Sequence, residues 1–443
     1  MKKLITAGLM ALPLSCAFGF SYGAPKLECR GKIKNNIIIH GIGGSQISFG
    51  AMDIALDKNM ACSKSHYFEY DTKNSSLTNL DFAKKLNKLL DSIPVNKNKK
   101  DLNFIMHSQG GLVGLTFLLN SFKKTPGFNP KHLQRMNKFV SMSTPFWGSD
   151  FAMMGNKVFF NLGFSENEIS PFGKDQLVDM EYGSRFLRNQ LKEVFAKENK
   201  DFINYLKNEL KILNISGMAP YSSTILKSFG SQFLEGDLIV NIPSMTLNTL
   251  KAQDNTIDYK EGVAKTLETK RSHIAKQAYV VGTHMDVFFG TIGYGVVDVP
   301  ENCLNIRNCE HPGFNILYTF LTKDEVMTDR DIDKTIKGFD LHLQVQFPKG
   351  QINLEDSYVS FPDNNKPNID IGHYRMNMEN FEPITINTDD SSAYYLIKGN
   401  LWGEKKSSKV ELEIHHTGIE SRTVIVEVEK GKATFINLKM KKK

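Results

Sequence analysis

The stretch that most restricts how this chain can fold is residues 102–114, LNFIMHSQGGLVG. Its apolar beginning predicts a buried strand that stops at Ser108, and the small and apolar residues 110–120 that follow predict a helix. A strand that turns straight into a helix leaves the serine on a sharp bend, its oxygen raised above the sheet near the positive end of the helix dipole. Such a bend fits a parallel sheet, where the chemistry gathers at the carboxyl ends of the strands.

The neighbouring sequence keeps up the alternation of strand and helix. Residues 35–40 (NNIIIH) read as a β-branched strand and 41–45 (GIGGS) as a glycine-rich loop, followed by a helix around 48–57. Residues 66–70 predict another strand. An amphipathic helix is expected over 77–90, with Leu80, Phe82, Ala83, Leu86 and Leu90 on one side. Residues 138–142 (KFVSM) make the next strand and run into STPFWGS at 143–149, while 211–216 (KILNIS) and 277–282 (QAYVVG) add two more. Residues 311–321 (HPGFNILYTFL) close the unit as a helix. The expected class is α/β, a mainly parallel sheet with helices on both faces.

Between about 145 and 233 the alternation lapses, and apolar clusters such as FAMM (151–154) and VFFNLGF (158–164) occur in helical company. Placed after a strand that ends beside Ser108, this insertion reads as a helical cap or lid, or as a helical subdomain with its own small core. From about 331 the texture changes to strand-like alternation in FDLHLQVQF, AYYLIKGNLW, KVELEIHHT, RTVIVEVE and KATFINLKM, broken by Gly, Asn, Asp and Pro. That pattern predicts a smaller all-β, sandwich-like domain over 331–443. The length of 443 residues accommodates two such units, a catalytic one over 24–330 and the β domain.

Residues 1–23 carry two lysines, an apolar stretch and then small residues, the pattern of a secretory signal peptide cleaved after Gly23. Export to the periplasm or the exterior is therefore expected. Losing Lys2 and Lys3 lowers the net charge from +7 to +5, a mild and scattered excess that gives no footing for nucleic-acid binding. Cys29, Cys62, Cys303 and Cys309 remain, an even number suited to an oxidising compartment. Three pairings exist, and the sequence-local one, Cys29 with Cys62 and Cys303 with Cys309, is favoured.

A serine hydroxyl is a weak nucleophile at neutral pH and needs a histidine to take its proton and a carboxylate to orient that histidine. In α/β-hydrolases the partners follow in the order serine, acid, histidine. Asp237, at a turn that opens onto an apolar run in EGDLIVNIPS, is preferred as the acid over Asp254 and Asp258. His284, just after a strand and a glycine in YVVGTHMDV, is preferred as the base; His273 and His311 look structural, and Asp286 suits a loop-stabilising role. The developing oxyanion needs donors, which the backbone amides of Ile42 and Gln109 can supply. The glycines of HGIGGS let the backbone come close to substrate.

IIIHGIGGS, MHSQGG and STPFWGS, in this order and at these separations, resemble the bacterial triacylglycerol lipases and related esterases of the α/β-hydrolase fold. DQLVDMEYGSRFL at 175–187 and the acid and histidine loops continue the likeness, which covers about residues 35–321. The resemblance implies Ser108 as nucleophile, Asp237 as acid, His284 as base and the Ile42 and Gln109 amides as the oxyanion hole. It implies a lipid or other acyl-ester substrate and peripheral contact with lipid surfaces. The mechanism calls for no cofactor; some relatives hold a structural calcium near the histidine loop, for which Asp286 and Asp298 are the carboxylates available here. One departure stands out, since Met106 occupies the position two before the serine where a glycine or alanine is usual.

The expected activity is that of an exported lipase or carboxylesterase working through an acyl-enzyme. A phospholipase or lipid acyltransferase would use the same triad and differ only in leaving group or acceptor. A secreted binding protein that has kept a silent hydrolase shell is the reading from a different class.

Overall fold

Long β-branched or apolar runs become the inner strands of a sheet because both faces are covered. The computed structural model describes residues 29, 32–95, 100–153, 173–195, 199–219, 235–253, 263–284, 295–327, 330–348, 353–362, 369–370, 380–401 and 403–440. The strands in chain order begin with β1 (Lys34–Ile39), β2 (Ser63–Phe68), β3 (Leu102–His107), β4 (Met136–Met142) and β5 (Lys211–Met218). Three short ones follow, β6 (Thr249–Gln253), β7 (Lys265–Thr266) and β8 (Thr269–Ser272), and then β9 (Lys276–Val281). The main sheet is six-stranded and parallel, in the order β2-β1-β3-β4-β5-β9. Every residue of β3 is buried, as a central strand between two helical layers requires.

The helices α1 (Met52–Asn59), α2 (Asn79–Ser92) and α3 (Gln109–Phe122) follow β1, β2 and β3. Thr78 caps α2 reciprocally with Asp81, so two otherwise orphan donors are satisfied at its start. Phe82, Ala83, Leu86 and Leu90 form its buried face, but Leu80 is exposed and Asn79 and Asn87 turn inward instead. Asn79 donates its side-chain amide to Asp179, while Asn87 donates to Asp91 and accepts from the Asn129 amide. The second strand lies two to three residues before the expected 66–70 and the first helix starts four residues after the expected 48. Boundaries of that kind depend on capping, which periodicity does not show.

The described part of the 145–233 insertion has no separate core. Leu177, Leu187, Leu191, Val194 and Phe202 join the same apolar cluster as Phe104, Leu112 and Phe117 from β3 and α3. The 158–164 cluster lies outside the described residues, as do residues 1–23. Among the described residues no helix is long and apolar enough to cross a membrane. Cys29 is bonded to Cys62 and Cys303 to Cys309.

The C-terminal strands are β10 (Gly338–Gln346), β11 (Ser357–Ser360), β12 (Ile369–Asp370), β13 (Asn380–Phe381), β14 (Thr385–Asn387), β15 (Ser392–Leu401), β16 (Ser407–His416), β17 (Ile419–Glu429) and β18 (Ala433–Lys439). They form two sheets with the orders β12-β15-β10-β18-β6-β8 (β14 pairing with β15) and β13-β11-β16-β17-β7. The strands β6 to β8, from before residue 331, are built into these layers. Leu341, Leu343, Tyr395, Ile397, Leu412, Val426 and Ile436 fill one core between the sheets. The alternate residues of β10, β15 and β18 face the other way, so Ala433 and Phe435 join the core of the main sheet. The period of two thus gives one strand two different cores.

Asp340 and His342 of β10 lie on that second face, and both are fully enclosed. Burial pushes the Asp340 carboxyl up to about 7, against the attraction of Lys398, with Asp150 and Glu235 adding to the rise. In the unfolded chain the same group ionises near 4. The folded state therefore holds a proton that the unfolded state has lost between about pH 4 and 7, so this group's contribution to stability falls as pH rises through that window. The stability difference between wild type and Asp340→Asn, measured by urea unfolding, should shrink or reverse from pH 4.5 to 7.5. A difference that stays level with pH would show that Asp340 is already ionised at the lower value.

Candidate active site

Ser108 stands alone between β3 and α3 at φ 53° and ψ −127°, in backbone that L-residues rarely adopt. The bend is tight because its neighbours are glycines. A Cβ on Gly41 would lie 2.6 Å from that of Ser108, one on Gly110 would lie 2.6 Å from the carbonyl oxygens of Ile39 and His40, and one on Gly111 would strike Thr144. Strain of about 1–3 kcal/mol at such a residue persists only where the surroundings over-determine it. Here the Ser108 amide donates to the Met142 carbonyl and the Gly111 amide to the Ser108 carbonyl.

Met106, large where a small residue is usual, finds its space one helical turn further on. Its sulfur would lie 2.3 Å from a Cβ on Gly114, so the missing side chain at 114 is what admits the thioether between strand and helix. Placing alanine in a helix interior in place of glycine ordinarily gains about 1 kcal/mol. Overpacking a tight core costs about 1–3 kcal/mol, which should win here. Gly114→Ala should lower stability in the wild-type background and raise it in a Met106→Ala background. Urea unfolding of the four proteins of that double-mutant cycle checks the reversal of sign.

His284 and Asp237 come together from loops that follow β9 and β5. The imidazole Nδ1 lies 2.6 Å from Asp237 Oδ2, while Oδ1 accepts from the amides of Ile239 (3.1 Å) and Val240 (2.9 Å). The His284 amide donates to the Asp237 carbonyl at 2.9 Å, which ties the two loops through their backbones. Asp237 is wholly enclosed and His284 almost so. Ser108 and His284 open onto one cavity, whose other walls include Ile42, Pro145, Phe151, Ala152, Met180, Ile239 and Val240. Its lining is apolar apart from His107, Ser149 and the serine and histidine themselves.

Ile42 sits on this wall and Gln109 is the first residue of α3. The loop between them and β1 is held by contacts that sequence reasoning did not single out. Tyr70 donates its hydroxyl to the His40 carbonyl and stacks on the His40 ring at 4.2 Å, and Thr72 Oγ1 accepts from the Gly43 amide at 2.9 Å. Burial pushes the His40 imidazole down, against the Gly41 carbonyl and Glu69. His107 is likewise pushed well below its usual range by burial and by His284, whose ring centre is 4.6 Å away.

The competing histidines fall elsewhere. His311 caps the helix α4 (Pro312–Lys323), accepting from the Phe314 amide at Nδ1 while Nε2 bonds the Gly295 carbonyl. His273 follows β8, and partial burial, then neighbouring cations, lower its pKa. Asp254, Asp258 and Asp286 lie outside the described residues. Asp298 stands beside Gly50, and no group of three or more His, Cys, Asp or Glu is placed to hold a metal among the described residues. Ser149 and Met180, both in motifs flagged by their likeness alone, turn out to line the cavity. Their signal was present in STPFWGS and DQLVDMEYGS, but no residue type in those motifs announced a role.

A family model described as "Putative serine esterase (DUF676)" matches residues 33–170, the part from β1 through the elbow and into the insertion. No curated protein matches the chain. Among solved structures, phospholipase PlaB from Legionella pneumophila superimposes over 93% of this chain and 93% of its own, with a TM-score of 0.59 and 11% identity. Its complex with thio-NAD gives a TM-score of 0.56 at 12% identity over 92% and 94%. The mature form of lipase BlEst2 from Bacillus licheniformis covers 51% of this chain and 84% of its own at 16% identity, with a TM-score of 0.35. The fold is that of an α/β-hydrolase followed by β layers.

Proposed function

We propose that this chain is an exported serine hydrolase that cleaves acyl esters of lipids through an acyl-enzyme on Ser108. The observation that carries the reading is the 2.6 Å contact of His284 Nδ1 with the enclosed Asp237 carboxylate, at a cavity that Ser108 and His284 share. The carboxylate makes Nδ1 the protonated nitrogen and leaves Nε2 as acceptor for the Ser108 proton. The seryl oxygen then attacks the ester carbonyl and the Ile42 and Gln109 amides receive the oxyanion. The proton on His284 passes to the leaving alcohol, and water repeats the sequence on the acyl-enzyme. Each oxyanion donor is expected to be worth about 2.7–4 kcal/mol in the transition state.

The apolar cavity walls suit an acyl chain, and the matched esterase family supports ester chemistry. Two disulfides support an oxidising compartment. A phospholipase is the second reading, favoured by the resemblance of the whole chain to a structure bearing that name; an acyltransferase would share the first half-reaction. Incubating the mature protein with a fluorophosphonate, locating the adduct by mass spectrometry, and then analysing products from p-nitrophenyl esters, triacylglycerol and phospholipid tests these readings. Adduct on Ser108 with free fatty acid released is the expected result. A protein that neither labels nor releases acid would be the silent shell.

A further inference from the structure

The C-terminal β layers reach the wall of the catalytic cavity. Lys398, on β15, donates to both carboxylate oxygens of Asp150 at 2.7 Å. Lys398 is about nine-tenths buried and Asp150 almost wholly so. The ammonium also lies 4.1 Å from the centre of the Tyr182 ring. Asp150 is followed directly by Phe151 and Ala152, which line the cavity. The residue before it, Ser149, donates its amide to the Met180 carbonyl and its hydroxyl to the Ile239 carbonyl in the acid loop.

Resting on the serine-hydrolase reading, we propose that Lys398 is a positioning residue that holds Asp150 and thereby sets the acyl-binding wall at Phe151 and Ala152. A buried ion pair is a poor device for stability alone, since desolvation costs several kcal/mol per ion and a well-packed apolar pair often does as well. What the pair adds is a tie between distant segments, since the ammonium is held by both Asp150 oxygens and lies over the Tyr182 ring, which fastens the loop carrying Asp150 to β15. Its partner comes from a strand more than 240 residues later in the chain. A second strut runs in parallel: the Glu235 carboxylate, two residues before Asp237, accepts from the amides of Lys337 and Gly338 where β10 begins. The β domain therefore braces the loops on both sides of the site.

The test compares wild type with Lys398→Met, which removes the ammonium from Asp150, and with the double variant Asp150→Asn with Lys398→Met, which removes both members of the ion pair. Each is assayed for melting temperature, Ser108 labelling by a small fluorophosphonate, and kcat and KM on p-nitrophenyl acetate and octanoate. In the double variant, labelling should persist while the octanoate-to-acetate ratio of kcat/KM falls by about tenfold or more, chiefly through KM for octanoate. An unchanged ratio in a folded double variant that labels normally overturns the proposal and leaves the hydrolase reading standing. Equal losses on both esters, or loss of the fold in both variants, also overturn it, because the pair would then serve stability. Wild type that neither labels nor cleaves either ester defeats the hydrolase reading itself.

Discussion

Ser108→Ala should abolish ester cleavage, lowering kcat by about a million-fold as removal of a triad nucleophile does elsewhere. Alanine keeps the Cβ that packs on Gly41 and meets the same positive φ, so the elbow loses only its oxygen. The melting temperature should stay level or rise slightly, since a strained site is relieved of a buried hydroxyl and of nothing else. Fluorophosphonate labelling should vanish with activity. Turnover by the purified variant above the background of a mock preparation would remove Ser108 from the mechanism.

Asp237→Asn should lower kcat by about ten-thousand-fold while KM changes little, the size of effect found when a triad aspartate is amidated in a serine protease. The geometry gives the reason. The amides of Ile239 and Val240 both point at Oδ1, so an asparagine must keep its carbonyl oxygen there and turn its NH2 toward His284. An NH2 facing Nδ1 requires that nitrogen to accept, which moves the ring proton to Nε2, the atom that has to take the proton from Ser108. The backbone bond from the His284 amide to the carbonyl of residue 237 survives, so the loops stay in place. Steady-state kinetics with thermal melts decide it; a variant within tenfold of wild type would mean that a different carboxylate orients the histidine.

How much of the site could be read beforehand follows from how local its signals are. The elbow, the glycines that crowd it and the strand-end loops holding Asp237 and His284 are marked by short runs of residues whose backbone needs are specific to them. Met106 is an instructive case. Its bulk looked like an obstacle to the bend, and the remedy lay in plain view at Gly114, but only the crossing of strand and helix shows that the two side-chain positions coincide. Leu80 failed for a related reason. Helical periodicity assigns it to the apolar side, whereas Asn79 found Asp179 and Asn87 the Asn129 amide as polar partners on distant elements and took up the inner face.

The β region shows the same division on a larger scale. Alternation in 339–347 and 393–402 was sufficient to read strands, and it could not say that the polar-looking face would be covered. Asp340 and His342 sit on that face and are buried against the α/β unit, with Lys398 about nine-tenths buried beside them, and Trp147 packs 5.0 Å from the His342 ring. The strands β6 to β8, lodged in residues 249–272, join these sheets although the chain returns to β9 afterwards.

By itself the sequence determined the strand–serine–helix bend, the glycines that crowd it and the change from α/β to all-β texture, because each is carried by short runs of neighbouring residues. Only the tertiary structure decided that the second sheet's outer face would be an inner one, that Lys398 would meet Asp150, and that Gly114 would make room for Met106. Those are pairings between distant segments, and their energies depend on which surfaces exclude water together, a quantity no local pattern contains.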